Sequence, residues 1–124
     1  MSRSALTHRP VAAGYVVIAE FDVGAAQLDD FLVLANSFSD ECIESESGCW
    51  QFDVVTLDTT PSSVLFYAAY DNVAAFEMHC NSAHHVRFKA ETRALGIGER
   101  LPRHGARGNG AAPRAEVAAH PSER

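Results

Sequence analysis

The chain is 124 residues long, 47% hydrophobic and 21% charged, which describes one globular domain of ordinary composition. Ten basic residues stand against 16 acidic ones, and residues 14–99 carry 14 of the acids but only Arg87, Lys89 and Arg93 as bases. So acidic a body argues against nucleic-acid binding, which needs clustered Lys and Arg; no apolar run is long enough for a membrane span, and the first ten residues make no secretory signal.

Residues 1–13 and 105–124 read as flexible tails, poor in the large apolar side chains that would offset the entropy of ordering them. The domain between them spans 14–104. Tyr15 to Val23 is rich in β-branched and aromatic residues and predicts a strand ending before Gly24. Leu28, Phe31, Leu32, Ala35, Phe38 and Cys42 recur at three- and four-residue steps, an amphipathic helix over about 25–46 that stops before Gly48. Alternation through Trp50, Phe52, Val54 and Thr56 predicts a strand over 49–57, with Trp50 and Phe52 on one face and Asp53 on the other.

A turn at 58–63 leads to a third strand over 63–70, apolar on both faces, which suggests a central position or a face covered by a partner. Asp71 or Asn72 caps a helix over 72–81, Asn81-Ser82 interrupts it, and Ser82 caps a second helical piece that ends near Gly96 or Gly98. A short strand around 100–104 would complete the set, although Pro102 confines it to an edge or a strand start. Strand, helix, strand, strand, helix is the order of an α+β, ferredoxin-like two-layer sandwich. Cys42, Cys49 and Cys80 are odd in number with no paired spacing, so reduced thiols and a cytoplasmic location are expected.

Four motifs in order carry a family resemblance. They are Ala19-Glu20-Phe-Asp-Val in the first strand, Glu46-Ser-Gly-Cys-Trp-Gln-Phe-Asp-Val54 after the long helix, Phe66-Tyr-Ala-Ala-Tyr70 in the third strand, and Ala75-Phe-Glu-Met-His79 followed by Ser82-Ala-His84. From about Tyr15 to Leu101 the chain resembles the antibiotic biosynthesis monooxygenase superfamily, which includes small quinol monooxygenases, and within it the isomerases that process a phosphorylated quorum-sensing signal. The resemblance implies a homodimer in which two sheets close an α+β barrel, a small-molecule pocket lined by the two histidines, and no metal. Ala68 stands where relatives usually carry glutamate, so that carboxylate's role is missing or taken by Glu20.

His79 and His84 are the leading catalytic candidates, since imidazole exchanges protons near neutrality, and the break at Asn81-Ser82 lets the two converge on one cavity. His85 is expected to face solvent or pack beside Phe88. Tyr67 and Tyr70, three apart on a strand, point to opposite faces; Tyr67 is preferred as a catalytic phenol, with Tyr70 as a substrate contact. Trp50 and Phe52 can stack on a flat substrate, and Glu20 and Asp53 are polar wall candidates. His79, His84 and His85 with Glu77 or Cys80 form a dense cluster, yet the spacing matches no compact metal motif, and no phosphate loop, dinucleotide fingerprint or haem-attachment pair exists, so neither metal nor cofactor is expected.

Three functions remain open at this stage. One is cofactor-free monooxygenation of a small phenol or quinol after proton removal by a histidine. Another is isomerisation of a small phosphorylated hydroxy-ketone, and the third is non-catalytic binding of a small molecule by the dimer.

Overall fold

A five-stranded antiparallel sheet carries three helices on one face in the computed structural model, which describes residues 14–58, 60 and 62–109. In chain order these are β1 (Tyr15–Asp22), a turn of 3-10 helix (Ala25–Gln27), α1 (Leu28–Ser45), β2 (Cys49–Thr56), β3 (Ser63–Tyr70), α2 (Val73–Cys80), α3 (Ala83–Ala94), β4 (Gly98–Glu99) and β5 (Arg103–Ala106). The sheet runs β2-β3-β1-β4, with β5 also on β1, which is the ferredoxin-like order expected from the periodicity changes. Residues 1–13 and 110–124, where the tails are expected, lie outside the described residues.

Pro102 acts as the sequence suggests, with one refinement. It lacks the N–H a strand interior would use, so the last edge is split: β4 pairs with Phe21 and Asp22, and β5 pairs with Tyr15 to Ile18. Ala106 lies opposite Tyr15, so the strand continues past residue 104, and Gly105 and Ala106 belong to the sheet rather than to a tail.

Strand alternation sorts the side chains between two faces. Val17, Phe21, Phe66 and Phe52 point toward the helices and meet Phe31 and Phe38 of α1. Phe38 stacks on Phe88 of α3 at a centroid distance of 4.2 Å, and Phe21 lies 4.7 Å from Phe66. The opposite face carries a smaller cluster of Val16 and Ala69 with Ile18, Trp50 and Tyr67.

One expectation about faces fails. Cys49 pairs with Tyr70 but Gln51 already pairs with Ala69, so β2 holds a bulge at Trp50. The extra residue turns the indole to the outer face, where its Nε1–H donates to Asp71 Oδ1, while Phe52 stays in the core. Trp50 and Phe52 therefore lie on opposite sides of the sheet.

The connection from α1 to β2 is tight. Gly48 accepts from the Asp71 amide at 2.9 Å, and a Cβ placed on Gly48 would sit 2.6 Å from Ala75 Cβ at the start of α2. Gly48→Ala is expected to destabilise the fold by about 1–3 kcal/mol, the usual cost of overpacking, read as a lowered urea midpoint with an unchanged slope.

Candidate active site

α1 brings Cys42 and Glu46 to one place because residues four apart share a helix face. Glu46 closes the helix as its C-cap, with its amide donating to the Cys42 carbonyl at 3.0 Å. A carboxylate there meets the negative end of an 18-residue helix dipole, and no basic residue occupies the last turn. The compensating groups come from the two helices across the way.

The α2–α3 break supplies them. Asn72 caps α2 by accepting from the Ala75 amide at 2.9 Å. Ser82 works on both sides of the break: its Oγ donates to the His79 carbonyl at 2.7 Å and accepts from the His85 amide at 3.2 Å. The chain is thereby turned so that His79, the penultimate residue of α2, and His84, in the first turn of α3, both reach Glu46.

His79 is 4% exposed and its Nδ1 lies 2.9 Å from Glu46 Oε2; His84 Nε2 bonds the same oxygen. An ionised carboxylate only accepts, so each imidazole donates through that nitrogen. Holding the proton on Nδ1 leaves His79 Nε2 with its lone pair and, among the described residues, no partner. Burial pushes the Glu46 carboxyl upward, but the hydrogen bonds from His79 and His84, together with the charge either imidazole carries when protonated, outweigh it and hold the group below the usual carboxylate value. Cys42 Sγ completes the cluster, 3.8 Å from His79 Nδ1, and burial together with the Glu46 charge keeps it a thiol.

A cavity of about 170 Å³ lies between the inner sheet face and the helices. Its wall includes Phe38, Phe52, Phe66, Phe76 and Phe88, with Ala19 and Ala68 leaving the open space. His79, His85, Tyr70 and the Cys80 thiol interrupt this aromatic lining, while Lys89 and Glu99 reach it from partly exposed positions, joined by an ion pair of 2.6 Å. Tyr70 is 1% exposed and its hydroxyl has no hydrogen-bond partner among the described residues. Burial keeps that phenol protonated by pushing it far above its ordinary value.

The expected site residues therefore divide. His79, Phe52 and Tyr70 line the cavity. His84 converges with His79 as the break suggested, but it meets it through Glu46, and its ring lies in the neighbouring clefts beside Ser45 and Arg87 rather than in the cavity wall. Tyr67 lies on the outer face with Trp50, so β3 alternation makes Tyr70 the phenol of the cavity. Asp53 is exposed opposite Tyr67 and accepts from Gln51 at 2.7 Å. Glu20 is also on the outer face, held by Ser63 Oγ at 2.5 Å and Arg103 at 3.2 Å, so it does not replace the carboxylate absent at Ala68.

Two site residues escape the sequence reading. Glu46 was visible only as part of a turn motif, although its four-residue spacing from the buried stripe position Cys42 is the signal that would have placed it. His85, expected to face solvent or pack beside Phe88, shares the cavity lining with Phe88 and sits beside His79 at a ring distance of 4.8 Å. Its Nδ1–H donates to the Cys80 carbonyl at 3.1 Å, and burial, with the nearby charges of His79 and Lys89, lowers its pKa to about 4.

The sequence profile of the family described as antibiotic biosynthesis monooxygenase matches residues 14–91. Among solved structures, a protein of unknown function from Bacteroides thetaiotaomicron superposes with a TM-score of 0.68 at 14% identity, over 77% of this chain and 100% of its own. A candidate antibiotic biosynthesis monooxygenase from Deinococcus radiodurans gives 0.67 at 16% identity, over 79% and 94%. Likeness at such identities shows the fold. No curated protein matches the sequence.

His85 gives a pH prediction. A histidine whose folded pKa is depressed takes up its proton in the unfolded chain first, so stability falls as pH drops from about 6.5 toward about 4. Urea unfolding over that window should show a shallower loss for His85→Gln than for the parent protein.

Proposed function

The chain belongs to the antibiotic biosynthesis monooxygenase family, and on that footing we propose that it is a cofactor-independent monooxygenase acting on a small phenolic or quinol-like compound, with His79 as its general base. One observation carries this reading. A carboxylate-oriented imidazole and a buried phenol that has no hydrogen-bond partner among the described residues line the same aromatic cavity. A space of about 170 Å³ suits one aromatic ring, since an apolar cavity of about 150 Å³ holds benzene.

In this mechanism the substrate ring lies among the phenylalanines and its hydroxyl meets His79 Nε2. Nε2 takes the proton, and Glu46 stabilises the imidazolium through Nδ1–H, as the buried acid does in a hydrolase triad. The phenolate, in surroundings of low polarity, transfers an electron to dioxygen; the radical pair combines at a ring carbon, and the resulting peroxide anion takes back the proton held on His79 Nε2 to give a hydroperoxide. Loss of water then leaves a quinone, with one oxygen atom in the product and one in the water. Tyr70 donates its unpartnered O–H to a substrate oxygen, which gives the buried hydroxyl the bond it otherwise lacks.

The isomerase reading asks for cations around a phosphate. Arg87 is engaged by Glu41 on the surface at 2.6 Å and Arg93 is exposed, so only Lys89 reaches the cavity, where it is paired with Glu99. This favours the neutral aromatic substrate.

His79→Ala should lower oxygen consumption with a quinol substrate by about 100-fold or more while the far-ultraviolet circular dichroism stays the same. Glu46→Gln places an amide donor where a carboxylate accepts, which favours the wrong tautomer, and should lower kcat more than it raises KM. Without oxygen, the parent protein should accumulate the substrate anion, visible in its absorption spectrum. Parental turnover in His79→Ala would sink the reading.

The proposal extends to assembly. The outer sheet face presents Ile18, Leu65, Tyr67 and Val55 with no helix over them among the described residues, and a second copy laid sheet to sheet would cover it. Sedimentation at micromolar concentration should give a dimer, and Tyr67→Glu should shift it toward monomer; a monomeric parent chain would refute this.

A further inference from the structure

We propose that Cys42, Glu46, His79 and His84 form a binding site for a divalent transition-metal ion of the zinc class. Their four donor atoms, one sulfur, one carboxylate oxygen and two imidazole nitrogens, all lie within 4.8 Å of one another. Cys42 and His79 are buried, and the side chains of Glu46 and His84 are 12% and 11% exposed. Two rigid elements set the geometry, with Cys42 and Glu46 one turn apart on α1 and the histidines fixed on either side of the Ser82 turn.

The donor set suits the ion. Zinc takes four ligands at about 2.0–2.3 Å in a tetrahedron, which places its donors roughly 3.3–3.7 Å apart. Cys42 Sγ and His79 Nδ1 are already 3.8 Å apart, while the 2.9 Å between His79 Nδ1 and Glu46 Oε2, and the closer contact of His84 Nε2 with the same oxygen, would have to open as the ion replaces the shared protons. Mixed sulfur and imidazole ligation favours zinc, cobalt or copper over magnesium or calcium, which want oxygen only. Charge also balances: a thiolate and a carboxylate neutralise the dication, and the imidazoles bind neutral. Binding releases the Cys42 thiol proton to solvent, together with the proton of whichever imidazole is cationic.

Occupancy has a consequence that rests on the reaction proposed above. The ion takes the lone pair at His79 Nδ1, so the ring proton must sit on Nε2. That nitrogen then donates into the cavity and accepts nothing, and a metal-loaded chain has no base. The ion acts as an inhibitor of the same site that it shares.

The test uses the full chain, stripped with a chelator and titrated with Zn²⁺ against a chromophoric competitor, then with Co²⁺ followed by absorption. One ion per chain is expected. The Co²⁺ complex should show a thiolate-to-metal charge-transfer band and the intense visible bands of tetrahedral coordination. Cys42→Ser should abolish the charge-transfer band, and both it and His84→Ala should weaken Zn²⁺ binding by about 100-fold or more, at least the upper end of what losing an outer-shell partner costs. His104→Ala, outside the cluster, should leave binding as it was.

Absence of the charge-transfer band in the parent chain overturns the proposal, and so does Zn²⁺ affinity as high as the parent's in both Cys42→Ser and His84→Ala. The parent spectrum decides the matter even where a variant fails to fold. Because none of these measurements involves turnover, inactivity of the metal-free chain toward quinols would refute the monooxygenase reading and leave the metal site standing.

Discussion

Burying the Glu46 carboxylate at the C-terminal end of α1 creates an electrostatic problem that organises the helical layer. Its charge meets the negative end of the helix dipole and is largely removed from water, and both effects oppose ionisation. His79 and His84 answer it with hydrogen bonds to the same oxygen. To reach it, the two histidines must come from separate helices, because a continuous helix would place residues five apart well away from each other. The Ser82 turn is therefore a requirement of the site as well as a local cap, and Gly48 lets α2 approach closely enough for the contact to form.

The sheet contributes space through its small residues. Val17 of β1 lies opposite Ala68 of β3, and with Ala19 this leaves room that larger side chains would fill. Ala68 puts no acid on this inner face, and the carboxylate beside the histidine arrives from the helical layer. A helix-borne acid keeps the sheet side of the cavity apolar.

Much of this was legible in the residues. The change from two-residue to three- and four-residue periodicity located β1, α1, β2 and β3 within a few positions, and Ser82 announced the α2–α3 break by its capping chemistry. His79 followed from that break. Face assignments were less secure. The bulge that turns Trp50 outward is one unpaired residue in a ladder, and alternation has no means of detecting it before the partner strand is known. Tyr67 against Tyr70 could be separated only by knowing which face the helices cover. Glu46 went unassigned because its partners lie 33 and 38 residues away, a pairing created by the topology.

What remains in the cavity narrows the chemistry further. Burial holds Tyr70 and Cys80 as neutral acids by raising both above their ordinary values, and it keeps His85 neutral down to about 4. Lys89 and Glu99 satisfy each other. His79 differs from all of these: one ring nitrogen has no partner among the described residues, and the other is tied to the Glu46 carboxylate. On the proposed reaction, a proton taken from a ligand in this cavity goes to His79 Nε2, reached through a single tautomer. Any agent that claims Nδ1, whether a metal ion or an amide in place of the Glu46 carboxylate, removes that destination without touching the cavity wall. On the proposed reaction, binding of an aromatic ring and removal of its proton are thus separable, the first set by the sheet and its phenylalanines and the second by the turn between α2 and α3.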